Sequence, residues 1–148
     1  MTKKVCYVFD IDGTISDCEH RIHHVRGEKK DWIAFYGAQL KDPPIPHMVR
    51  LAQQLAEVTP VLFVTGRPGD YRRATQEWLR LHVGDSFDGL YMRAPGDFRD
   101  DGVVKLELIG KARADGYEVI MAFDDRDRVV RAYRAAGIPT MQCCPGDF

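Results

Sequence analysis

"VCYVFDIDGTIS", residues Val5 to Ser16, begins as an apolar run and ends on two aspartates one residue apart, with Gly13 and Thr14 behind them. Val5 to Phe9 has the length and the β-branched and aromatic character of a strand. Its near-continuous apolarity predicts burial on both faces, the situation of a strand inside a parallel sheet. Asp10 and Asp12 then place two negative charges at the strand's end. Each raises the pKa of the other unless a positive group intervenes, and the rest of the chain has to supply that group.

Four further short apolar runs have strand length: Pro60–Val64, Gly89–Met92, Glu118–Phe123 and Thr140–Cys143. Helical spacing separates them. Met48, Leu51, Ala52 and Leu55 recur on one face, then Ala74, Trp78, Leu79 and Leu81. Val104, Leu108 and Ala112 follow, and Val129, Val130, Tyr133 and Ala136 end before Gly137. Strands alternating with helices predict an α/β three-layer sandwich, with helices on both sides of a mainly parallel five-stranded sheet. The alternation breaks once, over residues 16–45, where the connection is longer than a usual βα loop. Within it Trp32, Phe35, Tyr36 and Leu40 lie at helical spacing, which predicts a small helix packing its aromatics on the core. A subunit contact or a substrate lid is the lesser alternative. "KDPPIP", Lys41 to Pro46, reads as an extended connector.

The chain of 148 residues suits one domain, 1–148, with residues 16–45 as an insertion after the first strand. Lys and Arg total 21 against 22 Asp and Glu, a net charge of −1. That balance excludes a protein that coats long nucleic acid through many phosphate contacts, and leaves room for one that grips an end. No stretch has the length of a membrane span or the form of a signal peptide, so a cytoplasmic protein is expected. Cys6, Cys18, Cys143 and Cys144 contain no Cys-x-x-Cys, which predicts four reduced thiols.

In sheets of this kind ligands bind beyond the carboxyl ends of the strands. The first strand delivers Asp10 and Asp12 there; "VLFVTGR" delivers Thr65, Gly66 and Arg67; "VIMAFDDRDR" delivers Asp124 and Asp125; "DDGVVK" places Lys105 early in a helix. Asp10, Asp124 and, directly or through water, Asp125 can share a hard divalent cation, for which carboxylate oxygens are the natural ligands, and Mg²⁺ suits them better than zinc or calcium. The Thr65 hydroxyl, the backbone N–H groups of Thr65 to Arg67 and the Lys105 ammonium are complementary to a phosphate. Asp10 can then attack phosphorus to form an aspartyl-phosphate. Asp12 can protonate the leaving oxygen and later activate water, provided its pKa is held up, as nearby like charges would do. Gly13 lets the chain turn sharply, and Thr14 can hydrogen-bond within the turn.

"DIDGT", "VTGR", Lys105 and "FDDRD", in that order, resemble the four motifs of the haloacid dehalogenase superfamily of phosphohydrolases. Over nearly the whole chain, "FDIDGTISDCEHR", "GRPGDYRRATQEWL", "DDGVVKLELI", "DDRDRVVRAYRAAGI" and "GDF" resemble the 3'-phosphatase domains of the polynucleotide kinase/phosphatase family. The resemblance implies a Rossmann-like sheet with the Asp10 strand central and the Asp124 strand beside it, and only a minimal cap. It implies Mg²⁺, held also by the Asp12 backbone carbonyl, and a DNA or RNA 3'-phosphate as substrate. Arg21 and Arg67 become active-site arginines, and Asp101 becomes the acid that orients Lys105, with Asp100 as the neighbouring register. No P-loop occurs, so nothing indicates a kinase half, and a separate kinase or ligase partner is compatible with the chain.

The alternative function is a phosphatase for small nucleotides or other small phosphate esters. A signalling receiver is disfavoured, because the third strand ends in "LYMRAP" without an aspartate, and a non-catalytic binder would not need the full set of groups. Cys18, His20, His23 and His24 crowd into seven residues, poor geometry for zinc, and are read as a polar loop near the site. Arg126, Arg128, Arg131 and Arg134 read as a solvated helix face, with nucleic-acid contact as the minority reading. Trp32 to Tyr36 is the segment where a homo-oligomer would form.

Overall fold

The computed structural model describes residues 2–148. Five strands form, β1 (Lys4–Phe9), β2 (Val61–Pro68), β3 (Gly89–Arg93), β4 (Tyr117–Asp124) and β5 (Thr140–Gln142). Between them lie α1 (Trp32–Gly37), α2 (Pro46–Ala56), α3 (Arg72–His82), α4 (Asp101–Ala114) and α5 (Asp127–Ala135). The strands lie in the order β3-β2-β1-β4-β5, and every pairing is parallel. From β1 the chain winds outward through β2 and β3, then returns to lay β4 and β5 on the other side. The reversal falls between β1 and β4, and the crevice beyond their carboxyl ends is where such a sheet binds ligands.

Alternate residues of β1 feed two cores. Cys6 and Val8 pack with Val104, Leu108, Ile109, Val129 and Tyr133 of α4 and α5. Phe9 packs on the opposite face with Met48, Val49, Ala52, Trp78 and Leu79 of α2 and α3. Phe9 lies opposite Phe63 on β2 and Phe123 on β4, stacking on the latter at 4.4 Å. This register brings Asp10 and Asp124 out of the sheet side by side, and the Asp10 N–H donates to the Phe123 carbonyl (3.0 Å).

Four features differ from the pattern in the sequence. Strand β2 does not stop at Val64 but continues through Thr65-Gly66-Arg67, with a register shift against β3 between Thr65 and Pro68. Two-sided burial fails at the amino-terminal half of β4, where Glu118 and Ile120 are exposed, and at Val5. Leu81 points outward, and Thr75 takes a buried place on α3 instead. Helix α1 forms, but only Phe35 of the expected aromatic face is buried; Trp32 and Leu40 are exposed. Under two turns long, α1 covers the core with one residue, and the Arg21 guanidinium lies 4.3 Å from that residue's ring.

The insertion includes 3-10 turns at Glu19–His24 and Gln39–Lys41 flanking α1. It packs on α3, where the Trp78 indole N–H donates to the Asp42 carbonyl at 2.9 Å. Trp78 is fully buried. Trp78→Ala is expected to cost about 3–5 kcal/mol, from the emptied volume and the orphaned carbonyl. Urea denaturation monitored by circular dichroism should show a lower midpoint, with a smaller fall for Trp78→Phe.

Candidate active site

At the β1/β4 crevice Lys105 bridges two carboxylates. Its Nζ donates to Asp10 Oδ1 (2.9 Å) and Asp124 Oδ2 (2.7 Å), and all three side chains are buried. The ammonium reaches them from the first turns of α4, whose N-cap Asp100 accepts from the Gly102 N–H at 2.9 Å. Among the described residues, Asp10, Asp124 and Asp125 are the one group of acidic, histidine or cysteine ligand atoms drawn together, all within 4.8 Å of one another. Thr14 Oγ1 donates to Asp10 Oδ2 (3.2 Å) and reaches Asp125 Oδ1 at 3.4 Å.

Three buried carboxylates face one ammonium, and their proton affinities respond. Burial, then the neighbouring Asp124 charge, pushes Asp10 well above the ordinary carboxylate range despite Lys105. Burial and Asp124 likewise push Asp125 up to about 6. The cluster is short of positive charge and built of hard oxygen donors. It therefore fits a divalent cation, which would lie on Asp10, Asp124 and Asp125 and supply Lewis-acid stabilisation of phosphate oxygens.

Asp12, two residues on, sits in a different field. Arg67 donates to it from Nε (3.0 Å to Oδ2) and Nη2 (2.6 Å to Oδ1), and Arg21 Nη2 also binds it. Both arginines are buried. Arg21 further donates to Asp42 from Nε (2.8 Å) and Nη2 (2.6 Å), and to the Phe35 carbonyl (3.2 Å). Arg67 Nη1 donates to Gln39 Oε1 (2.5 Å) and Thr75 Oγ1 (3.2 Å). Burial alone would raise the Asp12 pKa, but the charges and hydrogen bonds of Arg67 and Arg21 outweigh it and hold the carboxyl well below the usual range. This corrects the expectation that like charges would hold Asp12 up: two buried guanidiniums reach it first.

Thr65 is buried and its Oγ1 accepts from the Arg67 N–H (3.1 Å). Gly66 lies against Asp101, where a β-carbon would stand 2.0 Å from Oδ1. Asp101 Oδ2 lies 3.6 Å from Lys105 Nζ, and the same carboxyl receives Arg93 at 2.9 Å and Arg126 at 3.5 Å. Asp100 instead caps α4 and pairs with Arg128 (3.0 Å), so Asp101 is the acid beside the lysine. Gly13, at φ +82°, has no room for a β-carbon, which would fall 2.2 Å from Asp125 Oδ2.

All the sequence-derived site residues thus lie at one edge of the sheet, in two adjoining clusters. The histidines do not join a metal group: His20 pairs with Asp42 (2.7 Å), and the His23 and His24 rings lie 4.0 Å apart. Three residues were missed. Asp42, hidden in an apparent connector, is the buried counter-ion of Arg21; Gln39 ties Arg67 to the insertion; Arg93 links Asp101 to the Gly66 carbonyl (2.8 Å). A polar side chain in an otherwise apolar or Pro-rich stretch was the only signal available.

A parallel sheet with this order and these acids defines a haloacid dehalogenase-like hydrolase fold. Solved structures agree: a haloacid dehalogenase-like hydrolase from Streptococcus pneumoniae superposes with a TM-score of 0.64 at 17% identity, over 93% of this chain and 83% of that one. Residues 4–148 match the family model described as the polynucleotide kinase PNKP phosphatase domain, and the chain belongs to that family. It is a phosphatase of the haloacid dehalogenase superfamily. A chain of the Pnkp1/Rnl/Hen1 RNA repair complex superposes with a TM-score of 0.84 at 26% identity, covering 99% of this chain and 44% of that one. A second structure of a Pnkp1/Rnl/Hen1 complex gives 0.81 at 27% identity, covering 99% and 47%. A protein of Autographa californica nuclear polyhedrosis virus, described as a bifunctional polynucleotide kinase/RNA ligase, is 32% identical over 81 residues, 55% of this chain and 12% of that protein. The chain therefore spans under half the length of the first two solved chains and about an eighth of the viral protein.

The raised carboxylates give a pH signature to the metal-free protein. A carboxyl whose pKa is raised on folding holds a proton the unfolded chain releases, so stability falls as pH rises from the unfolded value. For Asp125 that window runs from about 4 to about 6. Asp12 and Asp101, both lowered, are ionised in folded and unfolded protein above the window and leave its slope alone. With chelator present, the melting temperature should be higher at pH 5 than at pH 8, and Asp125→Asn should reduce the difference, with raised Asp10 supplying the remainder.

Proposed function

We propose that the chain is a Mg²⁺-dependent phosphomonoesterase that removes the 3'-phosphate from DNA or RNA ends through an aspartyl-phosphate on Asp10. The observation that carries this reading is the contrast between two aspartates two residues apart. Asp10 lies among the acidic cluster and Lys105, whereas Asp12 lies between Arg21 and Arg67. Family membership and the RNA repair complex of the similar chains support the choice of a polynucleotide end.

In this reading Mg²⁺ is held by Asp10, the Asp12 backbone carbonyl, Asp124 and Asp125, directly or through water, and supplies charge stabilisation at the phosphate oxygens. Asp10 is the nucleophile: its carboxylate oxygen bonds to phosphorus as the bond to the sugar oxygen breaks. Asp12 gives that leaving oxygen its proton, then takes one from the water that hydrolyses the acyl-phosphate. Lys105, kept in place by Asp101, and the Thr65–Arg67 backbone with the Thr65 hydroxyl receive the phosphate oxygens. Arg21 and Arg67 fix the Asp12 side chain and bring positive charge to the phosphate side of the site. Homology to a chain in a multi-protein repair complex also supports a separate kinase or ligase partner.

Labelled phosphate from a 3'-phosphorylated oligonucleotide should be trapped on the acid-quenched protein, and Asp10→Asn should abolish both trapping and turnover. Asp12→Asn should lower kcat by about 10²–10⁴-fold. In a panel of DNA, RNA and mononucleotide 3'-phosphates with and without Mg²⁺, the oligonucleotides should be preferred and chelation should stop hydrolysis. A clear preference for the mononucleotide would overturn the polynucleotide-end reading.

A further inference from the structure

One surface beside the site has no part in the chemistry described so far. Trp32 is 45% exposed and Ile33 78% exposed; the indole meets the buried Phe35 ring edge-on at 5.7 Å and leaves much of its surface to solvent. Its ring stacks on Tyr36 at 5.8 Å with 22° between planes, and Tyr36 leans on Tyr71 at 5.1 Å and 35°. The three rings form a row running from α1 to the turn that follows Arg67.

This row is fastened to the site. Gln39 Nε2 donates to the Tyr36 carbonyl (2.9 Å) while its Oε1 accepts from Arg67. Arg21 donates to the Phe35 carbonyl and lies over the Phe35 ring. The backbone of α1 is thus held by the same two guanidiniums that clamp Asp12. Tyr36 itself is half-buried, and burial, then the charges of Asp12 and Asp101, pushes its hydroxyl upward, which places it within the field of the site.

The flank is basic. Lys30 Nζ lies 5.8 Å from the Trp32 ring, and exposed Lys29 and Arg26 precede it. Of the acids on this flank, Glu19 lies 3.9 Å from Arg26, Glu28 precedes Lys29, and Asp31 is occupied in capping α1, where it accepts from the Ala34 N–H at 3.0 Å. Aromatic faces beside lysines that track a backbone are the means by which single-stranded nucleic acid is bound without sequence preference. A protein partner would be served equally by the apolar Ile33, but it would have no reason to adjoin the phosphate site or to favour the cations.

We propose that Trp32, backed by Tyr36, forms a stacking platform for a nucleobase next to the scissile 3'-phosphate of a single-stranded polynucleotide, with Lys29 and Lys30 meeting its backbone. The inference rests on the polynucleotide-end reading and adds to it the part of the substrate that is gripped. Trp32 touches a base rather than the reacting atoms, so it governs KM and leaves the chemical step alone.

The test compares wild type, Trp32→Ala and Trp32→Phe on three substrates with Mg²⁺ present. These are a short 3'-phosphorylated oligonucleotide, the same strand with abasic sugars at its 3' end, and p-nitrophenyl phosphate. Trp32→Ala should raise KM for the oligonucleotide about tenfold or more with little change in kcat. It should leave both constants for p-nitrophenyl phosphate unchanged and make no difference on the abasic strand, and Trp32→Phe should restore most of the affinity. The chain has two tryptophans, and Trp78 is fully buried. Quenching of the exposed indole when the oligonucleotide binds the Asp10→Asn protein is therefore also expected.

An unchanged KM for the oligonucleotide in Trp32→Ala would overturn the platform, as would an equal loss on all three substrates. So would a change of oligomeric state, measured by sedimentation, in place of a change in KM. Wild-type protein that hydrolyses p-nitrophenyl phosphate but leaves the oligonucleotide untouched would instead defeat the polynucleotide-end reading, and the platform with it.

Discussion

The site depends on one interaction, the bridge that Lys105 makes between the carboxylates of Asp10 and Asp124. Parallel strands deliver those acids side by side because Phe9 and Phe123 are in register beneath them. Without a cation the arrangement would be strongly unfavourable, since each buried charge has lost its water. Helix α4 supplies that cation from the other side of the sheet, and its placement is in turn secured by tight contacts. Gly102 lies close to Ala132 of α5, and Gly66 leaves just enough room for the Asp101 carboxyl beside the lysine. The small residues are therefore part of the electrostatics, because larger ones would move the charges apart.

One ammonium does not balance three carboxylates, and the imbalance is confined to one half of the site. In the other half, Asp12 and Asp42 share Arg21 and Arg67, so two acids meet two bases with almost every guanidinium donor used. The spacing of two residues between Asp10 and Asp12 joins these halves. Side chains two apart on an extended segment leave on the same side, yet the turn at Ile11–Thr14 separates their surroundings. The result is one aspartate in a field that favours protonation or a metal, and another in a field that favours the bare carboxylate.

Much of this was legible in the chain. The five apolar runs, the alternation with helical spacing and the polar residues at strand ends depend on local pattern, and local pattern is what a sequence displays. Lys105 was legible only in company, because a lysine early in a helix is ordinarily solvated. Asp42 and Gln39 were not legible. Their partners lie 21 and 28 residues away, and nothing in "QLKD" distinguishes a buried counter-ion from a surface acid until the insertion folds onto α3. The same dependence misled the reading of α1, where helical spacing marked a face but could not say that six residues would bury only Phe35. It misled the reading of Asp12 as well, since the like charges were visible in the motif and the arginines were remote.

The lowered pKa of Asp12 and its proposed role as an acid are compatible because they belong to different states of the site. In the free protein the only carboxylates the guanidiniums serve are Asp12 and Asp42, and they hold the Asp12 carboxylate ionised. In the proposed reaction a phosphate dianion entering beside Asp10 would bring negative charge to Asp12 and compete for the same guanidinium donors. Both effects raise the proton affinity of Asp12. Substrate binding would thus protonate the acid at the moment a proton is needed, and departure of the product would return it to the carboxylate held by Arg21 and Arg67. Asp42 makes this exchange feasible: as a second, permanently buried counter-ion it holds Arg21 in place when Asp12 loosens. The arginines then need not collapse onto the phosphate, and the geometry of the site survives the proton's transfer.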